Sequence, residues 1–278
     1  MERLNPLNDV AFKTIFTDEV LLKSLLNAIL DFEISSIRLA ENEVLPVTKD
    51  DKLGILDIKA YTDLGEKINI EVQLANQYNI SERILYYWSK LFTAGFKKSR
   101  DYKELTRTVS ISLLGYNVNN EADFHSCYQL LNRKTKKLLT NKLEIHFIET
   151  LKFMKLIENI DLKNPLHRWL IFLKSEDKML LEEVAALDKN IAEAEEKLFA
   201  LNLDKNLKEA YDAREREIND EITRMRGARD EGKEEGKREG KKEGKKEGQK
   251  EIVEAMRKHG VTDEDIKKMT GIDPSELS

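Results

Sequence analysis

The chain has 278 residues, 40% of them hydrophobic, which is enough for one domain of moderate size plus an appendage. Charged residues make up 36%, above the globular average, so part of the sequence is expected to lie outside the core. The formal net charge of −5 excludes a globally basic nucleic-acid binder; any such contact must come from a local basic surface.

The single cysteine, Cys127, excludes an internal disulfide framework and a Cys-rich zinc site, and reads as a small core residue. The start, MERLNPLND, lacks the apolar stretch of a signal peptide. No apolar run approaches the roughly 18 residues a membrane span needs. The expectation is a cytoplasmic protein with no membrane partner.

Residues 1–32 read as two helices. Asn8 or Asp9 caps the first, which carries Val10, Phe12 and Phe16; Asp18 caps the second, where Leu21, Leu22, Leu25, Leu26 and Ile29 recur at helical spacing. A strand is expected over residues 33–39. Next comes a hairpin over residues 53–74, LGILDIKA and INIEVQL joined by YTDLGEK.

Alternation puts Ile68, Ile70, Val72 and Leu74 on one face of the second strand and Asn69, Glu71 and Gln73 on the other. A turn centred on Leu64 pairs Asp57 with Glu71. Two carboxylates facing each other with Cβ atoms roughly 4.5 to 5.5 Å apart destabilise a sheet unless something neutralises them. A hard divalent cation, Mg²⁺ or Mn²⁺, does so with oxygen ligands and substrate phosphate. The alternative is a solvated polar face on an ordinary hairpin.

Residues 81–100 return to a helical pattern, capped by Ser81 or Asn79. Ile84, Trp88 and Leu91 form a core stripe, with Arg83, Tyr87 and Lys90 on an adjoining face. That face either meets phosphates or is an ordinary cationic surface around a half-buried aromatic. Strands are expected over 106–114, 124–131 and 143–153, giving an α/β core with one helix crossing between strands. His125, His146, His167 and His259 stand apart in sequence and read as structural or surface residues, not metal ligands.

Beyond Pro165 the chain reads as helical, ending in a seam of Leu207, Tyr211, Ile218, Ile222 and Met225 that wants a partner from the same chain or from a second copy. Gly232, Gly236, Gly240, Gly244 and Gly248 follow in a repeat of four. Each glycine costs a helix about 1 kcal/mol, so a charged flexible tether is preferred over a glycine stripe for helix association. The end reads as short helices stopped by Gly260 and Gly271, a docking or oligomerisation element before a DNA reader. The expected organisation is a core over 1–155, a helical region over 156–226, the tether over 227–250 and a small helical element over 251–278.

The runs NPLNDVAFKTIFTDE, GILDIKAYTDLGEKINIEVQ and RILYYWSKLF, in this order over roughly residues 5–115, resemble the Rpn group of recombination-promoting nucleases and transposases of the PD-(D/E)XK superfamily. The resemblance implies a restriction-endonuclease-like core, a mixed central sheet flanked by helices. It also implies Mg²⁺-dependent DNA endonuclease activity tied to recombination, mobile elements or defence.

By residue, it makes Asp57 and Glu71 the acidic metal ligands, the backbone carbonyl of Val72 a further ligand and Asp9 a weaker candidate. Gln73 stands where the wider superfamily has lysine, and glutamine orients water but brings no charge. Lys59 or Lys90 is then the substitute cation, and Lys59, Arg83, Tyr87 and Lys90 are the candidate DNA contacts. The alternative from another class is a non-cleaving DNA-binding scaffold acting through the helical tail; an RNA nuclease would use the same chemistry.

Overall fold

The computed structural model describes residues 3–40, 58–97 and 99–277, which fall into two compact units, Met1–Ile222 and Thr223–Ser278. In the first unit, Asn8 accepts from the Val10 amide to open α1 (Asp9–Phe16), and Asp18 accepts from Val20 and Leu21 to open α2 (Glu19–Ile29). Each satisfies amide donors that a helix start otherwise leaves unpaired. The chain then enters a six-stranded sheet: β1 (Ile37–Leu39), β2 (Ile58–Thr62), β3 (Lys67–Gln73), β4 (Thr108–Leu114), β5 (His125–Tyr128) and β6 (Leu143–Glu149), in spatial order β1-β2-β3-β4-β6-β5.

β3, β4 and β6 run parallel, and β1–β2, β2–β3 and β5–β6 pair antiparallel. Parallel strands need both faces covered. All seven residues of β4 and of β6 are accordingly buried. On one face Ile58, Ile68, Ile70, Val109, Ile111, Leu113 and Ile148 meet Phe12, Phe16, Leu22 and Leu25 of the first two helices. This is the mixed sheet flanked by helices that the restriction-endonuclease-like class requires.

The opposite face is covered by α3 (Ile80–Thr93), whose Ile80 and Ile84 pack with Leu114, Leu143, Ile145 and Phe147. Two contacts fix its direction. The Lys67 ammonium, at the start of β3, donates to the carbonyls of Leu91, Phe92 and Ala94 at 2.9, 3.2 and 2.7 Å, and the Trp88 indole donates to the Thr108 carbonyl at 2.8 Å. A cation on unsatisfied C-terminal carbonyls is favourable both as a hydrogen-bond donor and against the helix dipole. With its C-terminus at the start of β3, α3 returns along the strand and brings Arg83 toward the β3 C-terminal end.

The helix stops at Thr93, short of the expected residue 100, because Gly95 takes φ +73° and turns the chain. β1 begins at Ile37, not residue 33, since the Asn27 side chain captures the Ile34 amide at 2.8 Å. β6 ends at Glu149 and gives way to α4 (Thr150–Met154), with the Glu149 carboxylate accepting from the Val118 amide and the Lys152 ammonium, both at 2.6 Å. β5 spans only His125–Tyr128.

Pro165 opens α5 (Pro165–Lys174), followed by α6 (Lys178–Leu187), α7 (Lys189–Leu203) and α8 (Lys205–Lys258). Trp169 is fully buried against Phe16 and Phe172, and Ile191, Ala194 and Leu198 of α7 belong to the same core as α1 and α2. Helices α5, α6 and α7 therefore share the core of the N-terminal helices. Tyr211 and Ile218, from the apolar seam, are buried within the first unit, and the Tyr211 hydroxyl accepts from the Asn5 amide at 2.8 Å. For these two positions the partner is the same chain.

In the second unit the glycine repeat lies inside α8 and is helical, where a flexible tether was expected. Its charged side chains are exposed, a Glu235–Arg238 pair at 3.7 Å lies along it, and a Cβ on any of the repeat's glycines would meet nothing within 4 Å. After Gly260 at φ +81°, Thr262 caps α9 (Asp263–Thr270) and Gly271 at φ +71° ends it, as the sequence indicates. Val253 and Ile266 are buried, and Arg257 holds Asp263 with two bonds of 2.8 and 2.7 Å. No helix among the described residues is long and apolar enough to cross a membrane.

Two glycine substitutions separate packing from propensity. A Cβ on Gly115, just after β4, would lie 2.9 Å from Leu74 Cδ2 and 3.2 Å from Leu74 Cα, while one on Gly240 meets nothing within 4 Å. Gly115→Ala should lower unfolding stability by about 1 to 3 kcal/mol through overpacking. Gly240→Ala should raise helicity with no loss of stability, about 1 kcal/mol being available per exchanged glycine. Denaturant midpoints and circular dichroism check both.

Candidate active site

The β2–β3 hairpin has the register expected from its sequence: Ile58 opposes Ile70, Lys59 opposes Asn69, Ala60 opposes Ile68 and Tyr61 opposes Lys67. Its turn is closed by the Gly65 amide on the Thr62 carbonyl at 2.9 Å, with Gly65 at φ +73°. Asp57 lies outside the described residues. Glu71 and Gln73 do fall on the face covered by α3, opposite to Ile68 and Ile70.

Glu71 is only 2% exposed although it is an acid in the middle of a sheet. Its register partner on β4 is Ser112, whose hydroxyl donates to Glu71 Oε1 at 3.0 Å, and the Gln73 amide donates to Oε2 at 3.4 Å. Half-buried Lys59 sits diagonally across the hairpin, a separation of about 7 to 8 Å in a regular ladder. The Gly115 amide donates to the Gln73 carbonyl at 2.9 Å, so Gln73 bonds toward β4. Successive carbonyls of a strand point to opposite edges, which turns the carbonyl of Val72 toward the β2 side.

Beside Glu71 stands Tyr116, which sequence reasoning missed. Burial first, and then the Glu71 charge, push its phenol up to about 12, while Arg83 works in the other direction. Arg83 thus belongs to the same corner. It donates to Gln77 at 3.2 Å, lies 5.7 Å from the centre of the Tyr87 ring and keeps a buried Nε with no partner among the described residues; Gln77 in turn donates to Glu221 at 2.7 Å.

Lys90 lies further along α3, over the exposed Tyr86 ring at 4.2 Å. Asp9 is held by Arg214 at 2.6 Å. Ser112 had a sequence signal, since Ser110 and Ser112 alternate with Val109, Ile111 and Leu113 in an otherwise apolar strand. Tyr116 had none.

The oxygen donors on this strand suit a hard divalent cation: the Glu71 carboxylate and the Val72 carbonyl. The buried Asn69 Oδ1, on the same strand face, has no hydrogen-bond partner among the described residues and adds an unused acceptor there.

The opposite face of the sheet corrects one expectation and adds a contact that the spacing of the histidines did not indicate. Cys127 is exposed, on edge strand β5, and not a core residue. His125 and His146, far apart in sequence, meet through the β5–β6 pairing, with His125 Nε2 2.8 Å from His146 Nδ1. His146 Nε2 lies 2.9 Å from Glu144 Oε1 and 3.8 Å from Cys127 Sγ. Spacing along the chain hides this because the partners sit on neighbouring strands.

Burial and the neighbouring His146 push His125 down to about 4; burial and Glu144 push the Cys127 thiol up to about 11. For Glu144, burial acts upward, but hydrogen bonds from His146, Arg107 and Gln129 prevail and hold it at about 2. His167 is structural as expected, accepting from the Asp161 amide and packing on Phe124 and Phe153.

A mixed sheet flanked by helices, with one helix crossing over the C-terminal end of a central strand, has the architecture of the restriction-endonuclease-like α/β class. The family model described as PD-(D/E)XK nuclease family transposase matches residues 6–228, and the chain belongs to that family. No match was found among curated proteins or among solved structures. Membership gives the protein a nuclease- or transposase-like role, and nucleases of this type generally use divalent metal ions.

The Tyr116 corner is open to direct measurement. In an ultraviolet titration compared with Tyr116→Phe, the Tyr116 phenol should ionise near pH 12. Glu71→Gln should lower that pKa, because a negative neighbour is removed, and Arg83→Gln should raise it. Ionisation near the ordinary tyrosine value would contradict this placement.

Proposed function

We propose that the protein is a Mg²⁺- or Mn²⁺-dependent DNA endonuclease acting in recombination, mobile-element movement or defence. Asp57, Glu71 and the Val72 carbonyl are the proposed metal ligands. The observation that carries the reading is the buried Glu71 carboxylate, fixed by Ser112 on the sheet face covered by α3. A carboxylate withdrawn from water this far is costly unless it serves hydrogen bonds or a cation.

The bound metal supplies Lewis acidity to the scissile phosphate and a water of lowered pKa. Ser112 holds one Glu71 oxygen and so sets the direction in which the carboxylate presents itself. Gln73, next on the same strand face, orients water through its amide but contributes no charge.

The cation that the wider superfamily places at the Gln73 position comes here from Arg83 or Lys59. Arg83 suits a phosphate oxygen better, because its planar donors are already directed by Gln77 and Tyr87. Tyr116, kept as a neutral phenol across the physiological range, adds no repelling charge in that corner. Lys90 serves as a peripheral backbone contact.

Plasmid nicking in Mg²⁺ or Mn²⁺ tests the reading. Asp57→Ala and Glu71→Ala should each lower the rate by at least about 100-fold, since removing a metal-ligating group exceeds the 10- to 100-fold typical of groups behind it. Gln73→Ala should have a smaller effect than either. Equal nicking by wild type and both carboxylate variants would assign the cleavage to a contaminant and refute the reading. DNA binding that survives in Asp57→Ala but weakens on removal of residues 226–278, with no cleavage by wild type, would favour the scaffold role.

A further inference from the structure

The cluster on β5 and β6 is separate from the site just described. Glu71, Ser112 and Phe147 occupy one row across the sheet and share the face under α3. His146 and Cys127, directly paired across β5 and β6, are offset by one residue from Phe147 and so project from the other face. Glu144 is two residues from His146, and His125 two from Cys127, so all four share that face.

Three different ligand types converge there: Cys127 Sγ, His146 Nε2 and a Glu144 oxygen lie within 4.8 Å of one another. His146 and Glu144 are 2% and 3% exposed, a built interior position, while Cys127 opens to solvent. Zinc bonds of about 2.3 Å to sulfur and 2.0 to 2.2 Å to nitrogen and oxygen, at tetrahedral angles, separate ligand atoms by roughly 3.3 to 3.6 Å. The 3.8 Å sulfur–nitrogen and 2.9 Å nitrogen–oxygen distances bracket that requirement. A small adjustment of the exposed cysteine and of the carboxylate suffices.

Second-sphere contacts are already in place. His125 meets Nδ1 of His146 at 2.8 Å, which fixes the ring and leaves Nε2 directed at the cluster. Arg107 at 2.7 Å and Gln129 at 3.0 Å both hold Glu144 Oε2, so Oε1 is the oxygen turned toward His146. A nucleophilic Cys–His–Glu relay is excluded by the same distances. Such a relay needs the cysteine and the carboxylate on opposite ring nitrogens, whereas here both approach Nε2 and Nδ1 faces His125.

We infer that Cys127, Glu144 and His146 form a three-ligand site for a borderline transition-metal ion, Zn²⁺ above all, with its fourth position open to solvent and His125 as the orienting residue. Binding releases the thiol proton of Cys127 to solvent and breaks the hydrogen bond between His146 and Glu144. The proton that Nε2 held in that bond moves to Nδ1, where Nε2 of His125, itself protonated on Nδ1, accepts it, so the imidazole stays neutral. Thiolate and imidazole ligands favour Zn²⁺ over Mg²⁺, so the two sites differ in metal as well as in face. Zinc here would clip edge strand β5 to β6.

The test is Co²⁺ titration of the full-length chain after chelator treatment. Wild type should take one equivalent into a site with thiolate-to-cobalt charge-transfer absorption and intense visible bands, and Zn²⁺ should displace it. Cys127→Ser, at an exposed position, should abolish the charge-transfer band while circular dichroism stays unchanged. His125→Phe should weaken binding about 10- to 100-fold. Glu71→Gln should leave the band in place. Absence of the band in wild type, its persistence in Cys127→Ser or its loss in Glu71→Gln would each overturn the inference.

Discussion

The parallel pairing of β3 with β4 is the constraint on which the site depends. It places Glu71 beside Ser112 in the centre of a sheet covered on both faces, so the carboxylate loses most of its water. Burying a charge in this way is unfavourable unless fixed dipoles or an opposite charge replace the water. One hydroxyl at 3.0 Å and one amide at 3.4 Å provide part of that replacement. Under the proposed function a divalent cation, with Arg83 nearby, would complete it in a manner that phosphodiester chemistry can use.

The covering helix makes this arrangement specific. Lys67 ties the α3 C-terminus to the start of β3, and Trp88 ties its middle to β4, so Arg83 cannot slide along the strand. The strand that carries Glu71 thus also positions the cation beside it. Gly115 allows the chain to leave β4 directly over Leu74, which brings Tyr116 to the same corner. Under the proposed function, Arg83, arriving from a different element, offsets the lack of charge at Gln73.

Much of this was legible in the sequence where a local rule governed it. The caps Asn8 and Asp18, the hairpin register around Leu64 and the stops at Gly260 and Gly271 all follow from short-range hydrogen bonding or backbone freedom. The face of Glu71 followed from alternation. Strand ends were less legible, because Asn27 and Glu149 redirect the backbone through contacts with residues elsewhere in the chain.

The cluster of His125, Cys127, Glu144 and His146 was illegible for the same reason: it exists only once β5 pairs with β6, and no spacing along the chain announces that pairing. Tyr116 was missed because a tyrosine after a strand carries no pattern. A helix over the glycine repeat was the less favoured reading because propensity weighs each residue alone, whereas neighbouring turns of a helix support one another once it is nucleated.

The central question is whether Glu71 holds a hard metal ion or is only a buried structural acid. Mn²⁺ binding, followed as loss of the free-ion electron paramagnetic resonance signal, answers it without relying on cleavage. Wild type and Cys127→Ser should bind Mn²⁺ alike, and Glu71→Gln, which keeps shape and hydrogen bonding but removes the charge, should bind at least about 10-fold more weakly. Equal Mn²⁺ affinity in wild type and Glu71→Gln would contradict a metal-binding role for Glu71.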